Sequence, residues 1–266
     1  MKYNRSKPFI VFSLILAAIL LMTGCRGAAD SAAPTEPEVQ TVRQVNFDFV
    51  SHVTAQMPEQ DVFVIKPSND KDPYRLYRLD SAEADDYLAE PAFAAASPVA
   101  HDPFVLGENP IGPYPKGADL GFTIGEWLAG SGSGTYSVKG DEAELNATFE
   151  KLVPNGIYTM WCASIDLPPN FHITDKPCGA ENGSENTFTA DADGHAEFNL
   201  TMAPIPDSTP DVLRVFAIAY HSDGQTYGAL PGDFGLNSHV QLFFGVPTPD
   251  SEAWQITNAA EVAGVR

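Results

Sequence analysis

The chain has 266 residues, of which 44% are hydrophobic, and this composition is typical of a folded globular protein. It carries 15 Lys and Arg against 35 Asp and Glu, a formal charge of -20. Such a surface repels a phosphate backbone, so nucleic acids are poor partners. The 21 Gly and 22 Pro residues favour a fold rich in strands and loops over a helical bundle.

The first residues have the features of an export signal. Lys2, Arg5 and Lys7 precede an apolar run over residues 9–22. That run is shorter than the roughly 20 residues that a membrane-spanning helix needs. We therefore predict a signal peptide that is removed after export. Residues 25–40 follow and are rich in Ala, Pro, Ser and Glu, which predicts a flexible tether.

Residues 41–106 mix short patterns of both kinds and are predicted to form a small mixed α/β subdomain. The acidic stretch 80–90 has the pattern of a helix that Asp80 can cap. Strands are predicted over residues 45–50, 61–66 and 74–79. Residues 107–117 hold three Pro and three Gly, so they are predicted to be a connection.

Residues 118–246 carry a clearer strand pattern. Thr123 and Glu126 match a capping box that opens a short helix. Two arms on either side of Asp191–Gly194 have alternating apolar residues and are predicted to form a hairpin. Strands are predicted over residues 145–149, 157–163, 186–190, 195–201, 212–220 and 240–244.

Together these patterns predict a mainly β fold, an antiparallel β-sandwich or a partly open barrel with a small mixed N-terminal subdomain. Residues 118–246 would form the β-sandwich domain. Residues 247–266 are predicted to be a weakly ordered C-terminal tail, with a helical turn near Ala259.

The end of the apolar leader resembles the lipobox of bacterial lipoproteins. Met22-Thr23-Gly24-Cys25 has an apolar residue, a small residue, Gly and then the obligatory Cys, although Met replaces the preferred Leu. The resemblance implies that residues 1–24 are a lipoprotein signal peptide and that the Cys25 thiol carries a diacylglyceryl group. The membrane would then be a partner through this lipid anchor, with the body extracytoplasmic in the cell envelope. An ordinary signal peptide or an uncleaved anchor remains the alternative.

Cleavage before Cys25 would also change the charge of the protein. It removes three positive residues and no negative ones, which leaves a net charge of -23. Anionic head groups repel such a body, so we expect it to stand off the bilayer on its tether.

Three further stretches, residues 152–161, 191–198 and 221–244, are similar to uncharacterised bacterial surface lipoproteins. That group brings no known activity with it, so the resemblance implies no functional residue.

Only Cys162 and Cys178 remain once Cys25 is assigned to the lipid. Two cysteines in an exported chain favour a disulfide, which here would close a Pro-containing loop. Free or metal-binding thiols are the alternative, but the chain has no C-x-x-C motif and no His at zinc-finger spacing.

Motifs for common enzyme chemistries are missing from the sequence. It has no G-x-S-x-G, no Walker A loop, no G-x-G-x-x-G and no H-E-x-x-H, so no catalytic residue is predicted. We therefore expect a lipid-anchored binding or structural module with an unidentified ligand, and no cofactor. An enzyme that acts on envelope glycans through an acidic pair is one alternative, although 35 acidic residues make any pair uninformative.

A copper- or zinc-binding protein is the other alternative. His221 and His239 stand at a predicted strand end and strand start, so they would be neighbours if those strands pair. His172 or Asp223 could add a ligand, and Asp223 and Tyr227 share a Gly-rich loop suited to binding a ligand. The six histidines of the chain are His52, His101, His172, His195, His221 and His239. The sequence favours the simpler interpretation, in which each His bonds a loop carbonyl and the glycines only make turns.

Asp191 and Asp193 resemble the start of a calcium loop. The segment lacks the acidic residue at the twelfth position, and Asp-Gly is also a preferred turn, so the sequence favours a turn.

Overall fold

The structure is a computed structural model, and it describes residues 41–55, 61–66, 75–79, 81–101, 111–167, 169 and 171–258. Most of its regular elements are strands. The first half contains β1 (Thr41–Asp48), β2 (Phe63–Val64), β3 (Arg75–Arg78), a 3-10 helix (Ser81–Tyr87), β4 (Pro91–Ala95), β5 (Tyr114–Thr123), α1 (Ile124–Leu128), β6 (Ser131–Lys139) and β7 (Glu142–Glu150). The second half contains β8 (Ile157–Asp166), β9 (His172–Thr174), β10 (Thr187–Thr189), β11 (Ala196–Met202), β12 (Val212–His221), β13 (Ser238–Gly245) and β14 (Gln255–Asn258).

Two antiparallel sheets face each other across the main core. The first has the order β11-β7-β6-β1-β14, and the second has the order β10-β8-β12-β13, with β9 added beside β8. This arrangement confirms the prediction of a mainly β, antiparallel fold. The predicted signal peptide, Cys25, the tether and Ala259 lie outside the described residues.

The core between the sheets follows from the alternation of side chains along each strand. In β7, Leu145 and Phe149 are fully buried, while Glu144 and Glu150 on the other face are exposed. The two sheets meet through aromatic rings, since Phe47 of β1 stacks on Phe244 of β13 with ring centroids 4.2 Å apart.

The other four strands form a small closed ring in the order β2-β3-β5-β4. Its composition differs from the predicted subdomain of residues 41–106. β1 pairs with β6 and β14 in the first sheet, whereas β5 begins inside the predicted connection 107–117 and pairs with β3 and β4 of the ring. The predicted tail also contributes β14 to the first sheet. Strand pairing, and not position in the chain, determines whether each strand belongs to the first sheet or to the small ring.

The predicted hairpin around Asp191–Gly194 is wrong. β10 pairs with β8 in the second sheet, and β11 pairs with β7 in the first, so the turn crosses from one sheet to the other. The apolar alternation on both arms is real, but the two arms face each other across the core. Phe188 stacks on Phe149 of the opposite sheet, with ring centroids 5.2 Å apart.

The two helical predictions have different outcomes. Thr123 caps α1 with both reciprocal bonds of the capping box to Glu126, as predicted. The acidic stretch forms a 3-10 helix instead of an α-helix. It has no basic residue in its last turn, so its acidic side chains there oppose the helix dipole. The position of the predicted cap, Asp80, lies outside the described residues.

Cys162 and Cys178 are joined, with their Cα atoms 5.0 Å apart. The bridge attaches the segment after β9 to β8. Two backbone bonds run beside it, Cys162 N to Lys176 O and Cys178 N to Met160 O. We call residues 171–178, which include β9 and the segment after it, the strap. The predicted disulfide therefore holds the strap against the second sheet.

Candidate ligand-binding pocket

The outer face of the second sheet is apolar as well as its core face. In β8, Tyr158 and Met160 face the core, so Trp161 and Ala163 belong to the opposite face. β12 has the same arrangement, with Leu213, Val215 and Ala217 directed outward. This explains why both strands are almost continuously apolar in sequence, which is typical of strands that are covered on both faces.

A pocket of about 200 Å³ lies against this outer face. Trp161, Val215 and Ala217 belong to its sheet side, and Phe234 and Phe243 add aromatic surface. The strap forms another wall through Phe171, His172, Ile173 and Asp175. Because the disulfide anchors the strap to β8, the shape of the pocket depends on that covalent link.

A small polar cluster occupies one part of the wall. It contains His52 and His101, and behind them the buried carboxylate of Asp61. The Oδ2 atom of Asp61 accepts a bond from the backbone N–H of Val240 at 3.0 Å, and its Oδ1 atom lies 3.4 Å from Nδ1 of His101. The His101 ring stacks on Phe234 at 3.8 Å between centroids. The cluster is therefore held against β13 and the loop that precedes it.

The charges of this cluster are set by burial and by its members' mutual contacts. Burial alone would raise the pKa of Asp61, but the charge and hydrogen bond of His101, with the charges of Arg78 and His52, lower it to about 2. Burial opposes protonation of His101, yet Asp61 raises the His101 pKa above its usual value. Asp61 is thus an anion that favours the protonated form of His101.

His52 has the opposite behaviour. Burial is the largest cause that lowers its pKa, to about 4, and Asp61 opposes this only in part. Its imidazole is therefore neutral at pH 7. Its Nδ1 atom is buried and has no hydrogen-bond partner among the described residues. The pocket is thus lined by a neutral imidazole that has one ring nitrogen left unsatisfied by the fold.

The predicted pair His221 and His239 lies on neighbouring paired strands, but the register separates the two rings. His239 is opposite Tyr220, and His221 is opposite Ser238, so the two imidazoles belong to opposite faces of the sheet. The Nε2 atom of His221 bonds Thr159 Oγ1 at 2.8 Å.

Both ring nitrogens of His239 form hydrogen bonds within the fold. Its Nδ1 atom donates to the carbonyl of Asp61 at 2.6 Å, and its Nε2 atom bonds Ser222 Oγ at 2.9 Å. Within the described ranges, no group of three or more His, Cys, Asp or Glu residues is arranged to hold a metal ion.

Asp223 and Tyr227 do come together. The Tyr227 hydroxyl donates to Asp223 Oδ2 and accepts a bond from Asn237 Nδ2 at 2.6 Å. The hydrogen bond to Asp223 is the largest cause that raises the pKa of Tyr227, to about 12. These side chains satisfy each other and shape their own loop.

The remaining predicted residues have local roles. Asp191 Oδ1 accepts the backbone N–H groups of Asp193 and His195, each at 2.9 Å, which is the geometry of a turn. His195 is half-buried, and its Nδ1 atom lies 3.0 Å from Oε1 of Glu150. His172 lines the apolar pocket and not a site with His221 or His239.

Sequence reasoning missed the pocket itself. Its signal was present in the two strands that are apolar on both faces, because the outer apolar face of an exposed sheet needs a cover. No sequence pattern indicated that His52, His101 and Asp61 converge, because these residues come from three separate segments and meet only in the tertiary fold.

Comparison with protein-family models, with curated proteins and with solved structures found no match. In the part of the chain that the structure describes, no helix has both the length and the apolar character of a membrane span.

Proposed function

We propose that the protein is a lipid-anchored binding module of the cell envelope, and that its sandwich binds a small, mainly apolar ligand in the pocket beside Trp161. The observation that carries the binding role is the pocket wall. It is made of aliphatic and aromatic side chains, interrupted by a small set of polar groups, which is the usual composition of a small-molecule site.

The volume of the pocket limits the size of the ligand. An apolar protein cavity of about 150 Å³ accepts benzene, so about 200 Å³ suits a single substituted aromatic ring or a short alkyl chain. Burial of such a group against Trp161, Phe234 and Phe243 provides the main driving force.

The polar cluster supplies orientation. His52 is neutral and has an unused ring nitrogen, while His101 is held by Asp61. A hydroxyl group on the ligand matches a neutral imidazole because it can both donate and accept a hydrogen bond. We therefore propose a ligand with one apolar ring or chain and one hydroxyl, such as a small phenol or alcohol.

The anchor is proposed from the leader and from Cys25, both outside the described residues. A lipid on Cys25 and the tether 25–40 would present the acidic body near the membrane without contact with its head groups. Metal binding and action on envelope glycans remain predictions from the sequence.

The pocket is tested with p-cresol as the probe. Titration of the exported body should change the fluorescence of the buried Trp161, with a dissociation constant between micromolar and millimolar for a ligand of this size. Ala217→Phe places a ring in the pocket and should weaken binding at least about tenfold. Ala192→Phe, on an exposed turn, is the matched control and should bind as the unaltered protein does.

Binding of p-cresol that is unchanged in the Ala217→Phe variant would overturn the proposal, provided that this variant keeps its melting transition. Toluene serves as a second probe because it lacks the hydroxyl. It should bind more weakly than p-cresol, and the difference should disappear in a His52→Phe variant.

A further inference from the structure

A second cavity lies next to the disulfide, and residues 175–178 of the strap line it. We call it the Arg214 groove; its volume is about 640 Å³. Arg214 of β12 and Lys176 of the strap line it together with the apolar segment that joins β11 to β12, which includes Pro204, Ile205 and Pro206. It shares Ala163 and Asp175 with the apolar pocket but none of that pocket's aromatic residues.

The guanidinium of Arg214 uses only part of its donors. Its Nη1 atom donates to Ser164 Oγ, which lies opposite Arg214 on β8. Its Nε atom is buried and has no partner among the described residues, and no hydrogen bond joins Nη2 to any of them. Nε and Nη2 form one edge of the planar group, and this is an edge that can bind the two oxygens of a carboxylate side by side.

A comparison with Arg43 shows what Arg214 lacks. Arg43 donates from Nη1 and Nη2 to the two carboxylate oxygens of Asp207, each at 3.1 Å. Among the described residues, no carboxylate forms an ion pair with Arg214. A cation without a counter-ion is unexpected in a chain with 35 acidic residues, because such a chain offers many partners for it.

We propose that the Arg214 groove binds a monocarboxylate whose apolar part rests on Pro204, Ile205 and Pro206. The carboxylate would bond Nη2 of Arg214 and, once a small rotation of the side chain uncovers it, the buried Nε of the same edge. Lys176 would add a second positive charge at the groove. This site is distinct from the proposed apolar pocket, because its two cations, Arg214 and Lys176, do not line that pocket.

The surrounding charges restrict the ligand to one negative charge. Asp175 and Glu181 also line the groove, and the whole chain has a formal charge of -20. These groups repel an anion in proportion to its charge, and a second negative group on the ligand would find no second guanidinium edge to bond among the residues that line the groove. Citrate, phosphate and sulfate should therefore bind more weakly than butyrate.

The experiment follows the side-chain Nε–H signal of Arg214 by 1H-15N NMR while butyrate is added. The expected result is a saturable shift of that signal with butyrate and none with the neutral isostere butyramide. Arg214→Lys keeps the charge but loses the two-donor edge, so affinity, followed in both proteins by the backbone N–H signal of Ile205 in the groove wall, should fall at least about tenfold. Lys151→Met removes an exposed charge just beyond the other end of β7, away from the end that pairs with Met202 of the groove, and should leave affinity unchanged.

Two further titrations distinguish the possible sources of the carboxylate, which are a free acid and a peptide C terminus. N-acetyl-Ala-Ala with a free carboxylate and the same dipeptide as its amide are added to the same protein. Binding of the acid but not of the amide would extend the site to a peptide C terminus, whereas binding of butyrate alone would limit it to free acids. Equal shifts with butyrate and butyramide, or unchanged butyrate binding in Arg214→Lys, would overturn the proposal.

Discussion

The imidazole Nδ1 of His239 donates to the backbone carbonyl of Asp61 at 2.6 Å, across 178 residues of sequence. The carboxylate of the same Asp61 accepts the N–H of Val240 at 3.0 Å. Two successive residues of β13 are thus bonded to one residue that immediately precedes the small ring. Asp61 connects the ring segment to the sandwich, and it also holds His101 at the pocket.

Replacement of Asp61 tests this connection. Asp61→Asn keeps the size of the side chain and an acceptor for Val240 N–H, but it removes the charge that raises the pKa of His101. We expect a loss of about 2 kcal/mol in the free energy of unfolding and a lower His101 pKa by NMR titration. Asp141→Asn, on an exposed turn, is the control. An unchanged His101 pKa in Asp61→Asn would show that the contact is not electrostatic.

The stability of the protein should fall in mild acid, and His52 should contribute to that fall together with His221, whose pKa burial also lowers to about 4. The pKa of His52 is lowered from 6.5 to about 4, so the unfolded chain binds a proton over a range in which the folded chain does not. This contribution is complete above pH 6.5 and is lost as the pH falls towards 4, with a maximum of about 3 kcal/mol. His101, with its raised pKa, acts in the opposite direction and offsets part of the loss.

Urea denaturation at pH 7.5 and pH 4.5 measures this effect. The His52→Phe variant should lose less stability between the two values than the unaltered protein does, because it has no imidazole to protonate at that position. His172→Gln changes an exposed imidazole and should retain the acid dependence of the parent. Equal losses in the parent and in His52→Phe would refute the assignment.

Reduction of the disulfide should affect both stability and the pocket. The bond closes a loop with a sequence separation of 16 and in the chain-entropy model contributes about 3 kcal/mol. Because the strap supplies Phe171 and Ile173 to the pocket wall, p-cresol should also bind more weakly after reduction. A melting temperature and an affinity that are the same with and without reductant would contradict this role.

The sequence predicted those parts of the fold whose determinants are local. Thr123 and Glu126 lie three residues apart and form their capping box wherever the helix is placed. The alternation of apolar and polar residues in β7 is likewise local, because it requires only that one face of the strand packs against a core. The hairpin prediction failed because Phe188 and Phe198 are both inward-facing residues, and alternation does not say which sheet each arm belongs to.

The candidate site was less accessible to sequence reasoning for a related reason. His221 and His239 were singled out because their strands are neighbours, and the strands do pair. The difference of one residue in register, Tyr220 opposite His239, then places the two rings on opposite faces. A single-residue offset cannot be read from strand patterns alone, since the β-bulge between Ile218 and Ala219 also shifts the pairing.

Lipid attachment at Cys25 gives the last prediction. Cys25→Ala removes the thiol that would carry the diacylglyceryl group, so incorporation of labelled fatty acid should be abolished and the body should be released or mislocalised. Cys162→Ala is the matched control, because it removes a cysteine of the folded body and should leave labelling intact. Labelling that persists in Cys25→Ala would place the acyl group elsewhere, and the acidic body would then need another means of remaining at the membrane.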